Sequence, residues 1–372
     1  MVESAYIHIP FCKSKCKYCA FISYPKLELF DDYFSALLKD IKAHYNNEKL
    51  NTLYIGGGTP SVFPVEYLGK IISLFNKSTD CEVTVELNPD DVSYEYLNNL
   101  KSYGVNRLSM GAQSFNDEIL KLIGRRHNSK TIGKAINIAK QVGFNNISID
   151  LIYGLPYQDI KTLHNDIDKF LDLDISHLST YGLKIEEESC WGKIYSFENN
   201  CLKICDNKSI VLPDSDMQAD MYELINNRLE EKDFYRYEVS NFAKKGFESK
   251  HNLNYWNNSE YYGFGIAAHG YIDGIRYAKT SNFDEYFAQP SLYKESKKIT
   301  SKEKLEEEIF LGFRKASGID IVKINEKYGI DFNKKYASIL EKYKDFIIPT
   351  NKGYTLNLQG VLVSNVILSE FI

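Results

Sequence analysis

Through its first half this chain alternates between two periodicities. Apolar, β-branched runs lie at 4–9 (SAYIHI), 52–55, 82–87, 107–112, 147–152 and 177–183; between them apolar residues recur at three- and four-residue spacing near 30–45, 64–77, 93–103, 116–123, 130–142 and 159–172. Each change of period predicts a strand followed by helix. Strands joined through helices run parallel with right-handed crossovers, so the expected class is α/β. Six such units fall short of the eight that close a full barrel, and an incomplete (β/α)6 TIM-like barrel is expected; an open parallel sheet would satisfy the same pattern. Special residues gather at or just after the strand ends: three cysteines, Gly56-Gly57-Gly58, Glu86, Gln113 and Asp150. In barrel-like folds that rim carries the chemistry.

After about residue 190 the alternation stops. A helix is expected over 214–232, and 251–272 is rich in aromatics and glycine. From about 300, charged helical patterns (300–316, 332–343) lead into a hairpin signal around Asn351-Lys352-Gly353. With 372 residues the chain exceeds the roughly 250–300 that one core serves, so two domains are expected. We divide them at 1–290, the barrel with an extension, and 291–372, a smaller α+β, partly winged-helix-like domain of structural or protein-binding role. The last residues, GVLVSNVILSEFI, are too few to span a membrane and read as a core-packed terminal helix. A net charge of −5, with Lys and Glu interspersed, disfavours a nucleic-acid partner. Neither a signal-peptide pattern nor a run of 18 apolar residues occurs, so the cytoplasm is the expected location.

Three of the seven cysteines, Cys12, Cys16 and Cys19, follow the first strand at spacing C-x3-C-x2-C. The others, Cys81, Cys190, Cys201 and Cys205, are scattered, which argues against a disulfide framework. Thiolates suit zinc, Cu(I) or an iron-sulfur cluster, and closed zinc sites use four protein ligands. Three in one loop leave a coordination position open. His8 is the alternative fourth ligand, but it stands on a strand at some distance from the loop.

The triplet resembles that of the radical SAM superfamily, whose C-x3-C-x2-C loop holds a 4Fe-4S cluster with one iron open to S-adenosylmethionine (SAM). The resemblance implies a radical SAM barrel, with Cys12, Cys16 and Cys19 as cluster ligands. Tyr18 matches the aromatic common before the last cysteine. "YIGGGTPS" (Tyr54–Ser61) is similar to the glycine-rich segment that approaches the methionyl group, and Glu86 in "VELNP" to the carboxylate that takes the ribose hydroxyls. Tyr6, Gln113, Arg125 and Asp150 match residues of the coproporphyrinogen-oxidase-like branch in order and strand context. The implied SAM-binding set is Tyr6, Phe21, Gly57, Gly58, Thr59, Glu86, Gln113, Arg125 and Asp150.

Within that branch the oxygen-independent coproporphyrinogen III oxidase carries a further cysteine two residues after the triplet, where this chain has Phe21. "HNLNYWNNSEYYGFGIAAHG" (His251–Gly270) is similar to the HemW-type haem chaperone signature H-N-x-x-Y-W followed by Y-x-G-x-G-x-x-A-H. "YEVSNFAKKG" and "EEEIFLGFRKASGID" extend the likeness over almost the whole chain. "EEESCWGK" (Glu186–Lys193) departs from the family's proline-glycine-threonine turn; it touches no cofactor position and bears on the lid over the substrate site.

The resemblance implies a haem chaperone carrying a 4Fe-4S cluster and SAM. Its implied partners are haem, an electron donor for the cluster, and haem-accepting apoproteins such as respiratory haem enzymes. Acceptors in the membrane would bring the protein to the membrane periphery. The alternative is an enzyme that decarboxylates coproporphyrinogen III. His251 is the expected haem ligand, with Tyr255 and Trp256 offering ring faces; against this stands a hydrogen-bonded structural role for His251 and His269. Tyr261 and Tyr262 read as packing residues. Whether SAM is cleaved, whether His269 contributes and whether the chain forms a homodimer stay open.

Overall fold

The structure is a computed structural model that describes residues 2–194, 196–198, 201–203 and 209–372. Cys205 lies outside the described residues. The six expected strands form: β1 (Ser4–Ile9), β2 (Leu50–Gly57), β3 (Lys77–Leu87), β4 (Arg107–Gln113), β5 (Asn146–Tyr153) and β6 (His177–Gly182). They pair in chain order and all in parallel. The crossovers carry α1 (Phe30–His44), α2 (Val65–Ser73), α3 (Tyr94–Ser102), α4 (Asp117–Leu122), α5 (Ser129–Val142) and α6 (Ile160–Asp172). Local chemistry marks their ends. Asp159 caps α6 by accepting from the Thr162 N–H, and Gly143 closes α5 at φ +93°, a conformation glycine adopts without a Cβ penalty.

Period two sorts each strand into two faces. Ile7, Leu53, Val85, Leu108, Ile149 and Leu178 are buried in one apolar core with the helices. The other face is polar: Ser4, Tyr6 and His8 on β1; Thr52 and Tyr54 on β2; Thr84 and Glu86 on β3; Arg107 and Ser109 on β4; Ser148 and Asp150 on β5; His177 and Ser179 on β6. The sheet curls so that these groups feel one another's charge across the hollow, Asp150 raising the pKa of both Tyr54 and Glu86. The lumen is therefore polar, and the apolar layer lies outside it, under the helices.

Three short strands extend the sheet beyond what periodicity revealed. Tyr262–Phe264 adds in parallel beside β1, Asn241–Ala243 adds antiparallel beside β6, and Tyr235–Arg236 follows it. Two or three residues are too few to display an alternation. The helix Ser215–Glu230 forms as expected, and the aromatic-rich segment contributes the helix Lys250–Trp256 and the strand His269–Ile272. That strand pairs with Ile275–Ala278, which pairs in turn with Glu295–Lys298, so this small sheet spans residue 290.

The smaller C-terminal domain has its own core, including Leu305, Ile309, Phe313, Phe332, Leu356 and Ile367. The helix Ser301–Gly312 opens it with a capping box at Thr300 and Glu303, and the hairpin Ile347–Pro349 with Gly353–Leu356 completes a three-stranded sheet. The pattern expected near 332–343 is broken into Phe332–Lys335 and Ala337–Lys342. The terminal segment folds as two short helices, with Ile367, Leu368 and Phe371 buried. Among the described residues no helix is long and apolar enough to cross a membrane.

Candidate functional site

At the C-terminal ends of β1 to β5 the chain leaves the sheet through loops that meet. The cysteine loop is tied down by backbone bonds: the Cys12 N–H donates to the Tyr24 carbonyl and the Tyr24 N–H to the Pro10 carbonyl. The Lys17 N–H reaches the Ile123 carbonyl, which joins the loop to the end of α4. Beneath it stands His8. Its Nε2 lies 2.9 Å from the Ile22 carbonyl and its Nδ1 2.9 Å from the Tyr6 hydroxyl. A carbonyl can only accept, so Nε2 carries the proton and Nδ1 accepts from Tyr6. Both nitrogens are thus engaged, and His8 supports the loop as a strut, not as a fourth metal ligand. Burial holds it neutral, its pKa lowered to about 4.

The expected residues converge on this loop through direct contacts. The Cys12 sulfur lies 3.2 Å from the Thr59 hydroxyl, and Arg125 donates to the Cys16 sulfur at 3.4 Å and to the Gly111 carbonyl at 2.6 Å. Arg125 also bonds the Asn88 side chain, a partner that sequence reasoning missed. Its Nε is buried and has no partner. The neighbouring Arg126 takes the surface role instead, paired with Asp90 and Asp91.

The glycines are needed for close approach. A Cβ on Gly57, at φ +115°, would stand 2.7 Å from the His8 ring, and one on Gly58 would stand 2.7 Å from the Phe11 carbonyl oxygen. The Gly57 N–H donates to Glu86 at 3.0 Å, and the Tyr54 hydroxyl donates to the other oxygen at 2.8 Å. Burial is the main cause that pushes Glu86 up to about 7, and likewise Asp150 up to about 6. At β4 a register shift sets Gln113 at φ +69°, strained backbone of the kind held at functional sites. A Cβ on Gly111 would meet the Gln113 amide and the Arg125 guanidinium, so both side chains cover that glycine. Phe21 projects from the loop with 70% of its surface exposed.

The donor set fits an open-site cluster with a polar cosubstrate beside it: three free thiols on one loop, an unpartnered Arg125 Nε, and the Glu86 carboxylate against the backbone of Gly56 and Gly57. The segment Glu186–Lys193 donates the Trp191 N–H to the Lys17 carbonyl inside the cysteine loop, with the Trp191 ring buried. Nothing local in that segment foretells this contact, because it depends on where β6 delivers the chain.

His251 lies elsewhere. The helix Lys250–Trp256 closes the N-terminal end of the lumen, its first N–H groups held by Glu82 of β3. His251 is buried, with Nδ1 2.8 Å from the Thr52 hydroxyl and Nε2 2.9 Å from the Tyr255 hydroxyl. Thr52 donates its own proton to Ser4, so it accepts from Nδ1, and Nε2 accepts from Tyr255. This is the arrangement of a hydrogen-bonded structural histidine. The His251 ring also stacks on Tyr54, centroids 5.0 Å apart, and the Tyr54 hydroxyl bonds Glu86, so Tyr54 stands between His251 and the carboxylate at the rim. His269 is exposed.

With this geometry in view, comparisons with known proteins are informative. The family model of the Radical SAM superfamily matches residues 6–170, and that of the HemN C-terminal domain matches residues 299–363. The heme chaperone HemW of Bacillus subtilis (strain 168) is 38% identical, with 100% of this chain and 99% of that protein covered. The heme chaperone HemW of Lactococcus lactis is 39% identical over 95% of each. Among solved structures, coproporphyrinogen III oxidase (HemN) from Escherichia coli, a radical SAM enzyme, superposes with a TM-score of 0.84 at 22% identity, covering 100% of this chain and 90% of that one. A likeness at that identity establishes the fold. The full-length matches go further, and the chain belongs to the HemW family of the radical SAM superfamily.

Proposed function

We propose that this protein is a haem chaperone that holds a 4Fe-4S cluster and SAM at the C-terminal rim of its barrel, binds haem and delivers it to apoproteins. The observation that carries the reading is the end-to-end identity with relatives that are heme chaperones, in a chain with Phe21 where the oxidase has a cysteine. In this reading Cys12, Cys16 and Cys19 hold the cluster. When bound, such a cluster supplies a one-electron reductant and an open iron.

The chain's own groups do the rest. Arg125 compensates thiolate charge at Cys16, and Thr59 does so more weakly at Cys12. Gly57 and Gly58 let the backbone approach the methionyl group, with Gln113 and Asp150 lining the same space. Glu86 accepts from the ribose hydroxyls, exchanging its present Tyr54 and Gly57 donors. Tyr6 acts through His8 to hold the loop, and Phe21 offers an exposed ring face to the adenine. The test is an anaerobic haem titration of the reconstituted protein, followed by Soret absorbance and run beside a coproporphyrinogen III turnover assay with SAM and a reductant. Saturable haem binding without turnover is expected. Turnover without haem binding would overturn the proposal in favour of the enzyme.

A further inference from the structure

Against the helix Lys250–Trp256, between the small sheet and the helix Ser301–Gly312, lies a cavity of about 590 Å³. None of the residues assigned above to the cluster or to SAM lines it, and Tyr255, which feels the Glu86 charge, is its link to the lumen. Its volume is in the range of small-molecule sites, roughly 300–1,000 Å³. Tyr255, Tyr261 and Phe310 supply ring faces, Leu311 and Ile372 aliphatic surface, and Arg276 a cation. The cavity's carboxylates are each paired: Glu307 with Arg276 at 2.7 Å, Glu303 with Lys297 at 2.5 Å and Glu306 with Lys302 at 3.3 Å. A flat, apolar macrocycle therefore meets ring faces and ion-paired side chains, not bare carboxylates.

Among the described residues lining this cavity, one side chain is suited to bind ferric iron. His251 is sealed in the lumen with both ring nitrogens bonded, and the Tyr255 hydroxyl is bonded to His251. Tyr261 lines the cavity, with the Arg276 guanidinium beside its hydroxyl and its ring edge-on to Tyr255 at 4.6 Å. Burial and the Glu307 charge raise the Tyr261 pKa while Arg276 opposes them, so the group is a phenol until ferric iron displaces its proton, and tyrosinate is an established type of haem ligand. Tyr261 is also the first tyrosine of the Y-x-G-x-G segment, which the chemistry of the cysteine rim does not use.

We propose that this cavity is the haem site and that Tyr261 is the iron ligand, with Arg276 beside its hydroxyl. The inference rests on the haem-chaperone reading. On binding, the iron–oxygen bond forms, the phenol O–H bond breaks and the proton passes to solvent; the iron stays ferric throughout.

The test is a titration of the full-length protein with haemin, read by optical absorbance and resonance Raman. Wild type should give a high-spin ferric spectrum with a phenolate-to-iron charge-transfer band. Tyr261→Phe, which keeps the ring that packs on Tyr255, should lose that band, while His251→Ala should keep it. Arg276→Gln should weaken ferric haem binding about 10–100-fold, as removal of a residue that supports a metal ligand does. Leu311→Trp, which fills the cavity without touching the ligand, should abolish saturation. A spectrum unchanged by Tyr261→Phe, or a low-spin spectrum lost only in His251→Ala, would overturn this assignment and leave the chaperone reading standing. Failure of the wild type to bind haemin at all would remove both.

Discussion

Glu86→Gln should make the apoprotein more stable at alkaline pH and a poorer SAM binder. The carboxylate faces the lumen, and burial with help from the Asp150 charge raises it from 4.5 to about 7. The folded state thus holds this proton more tightly than the unfolded chain does. A carboxyl of this kind gives its full contribution below pH 4.5 and loses it as the pH rises through 7. The displacement is worth about 3 kcal/mol at 1.36 kcal/mol per unit, and about 2 after allowing for the part of the side chain that still meets lumen solvent. Glutamine is neutral throughout, so it escapes the cost, but it serves only one of the Tyr54 and Gly57 donors as well as before, a loss of about 1 kcal/mol. The variant should therefore be more stable than wild type by about 1 kcal/mol at pH 8 and no more stable at pH 5. Urea denaturation of both apoproteins at the two pH values measures the difference, in which the other titrating groups cancel. Calorimetry should then find SAM binding weakened by about 10–100-fold, the worth of a hydrogen bond to a charged acceptor. An equal stability difference at pH 5 and pH 8 would refute the reasoning about burial.

Other variants probe separate links. Cys12→Ser, Cys16→Ser and Cys19→Ser should each abolish the cluster after anaerobic reconstitution, since an open-site cluster needs all three thiolates of the loop; normal iron and sulfide content would sink the ligand assignment. Gly57→Ala should lower both cluster content and SAM affinity, because its Cβ meets the His8 ring that supports the loop. Gly133→Ala, where a Cβ meets nothing within 4 Å on α5, should instead stabilise by up to about 1 kcal/mol in the same denaturation assay. Lys279→Met should destabilise by about 3–5 kcal/mol, leaving Asp40 buried without its cation, and Asp40→Asn added to it should recover most of the loss.

Much of this architecture is legible in the amino-acid order. Six strands appear where alternating residues such as Ile7 and His8, or Val85 and Glu86, put apolar groups on one face and polar groups on the other. The cysteine triplet, the glycine run and the strand-end carboxylates are legible for the same reason, since their meaning lies in short spacing. Asn88 and Trp191 are not. Each reaches the cysteine-loop region only because the sheet curls and α4 and β6 return the chain there. The strut role of His8 is hidden as well, because its distance along the strand conceals the Ile22 carbonyl folding back over it.

By itself, the sequence determined the α/β class, the order of the units, the thiolate loop and the family. These follow from periods of two to four residues and from motifs shorter than twenty. Only the tertiary structure decided that the polar strand faces line a lumen, that the helix Lys250–Trp256 closes its far end, and that His251 spends both nitrogens on Thr52 and Tyr255. Those outcomes depend on contacts between residues as far apart as Glu82 and His251, which exist only once the curled sheet brings them within hydrogen-bonding distance.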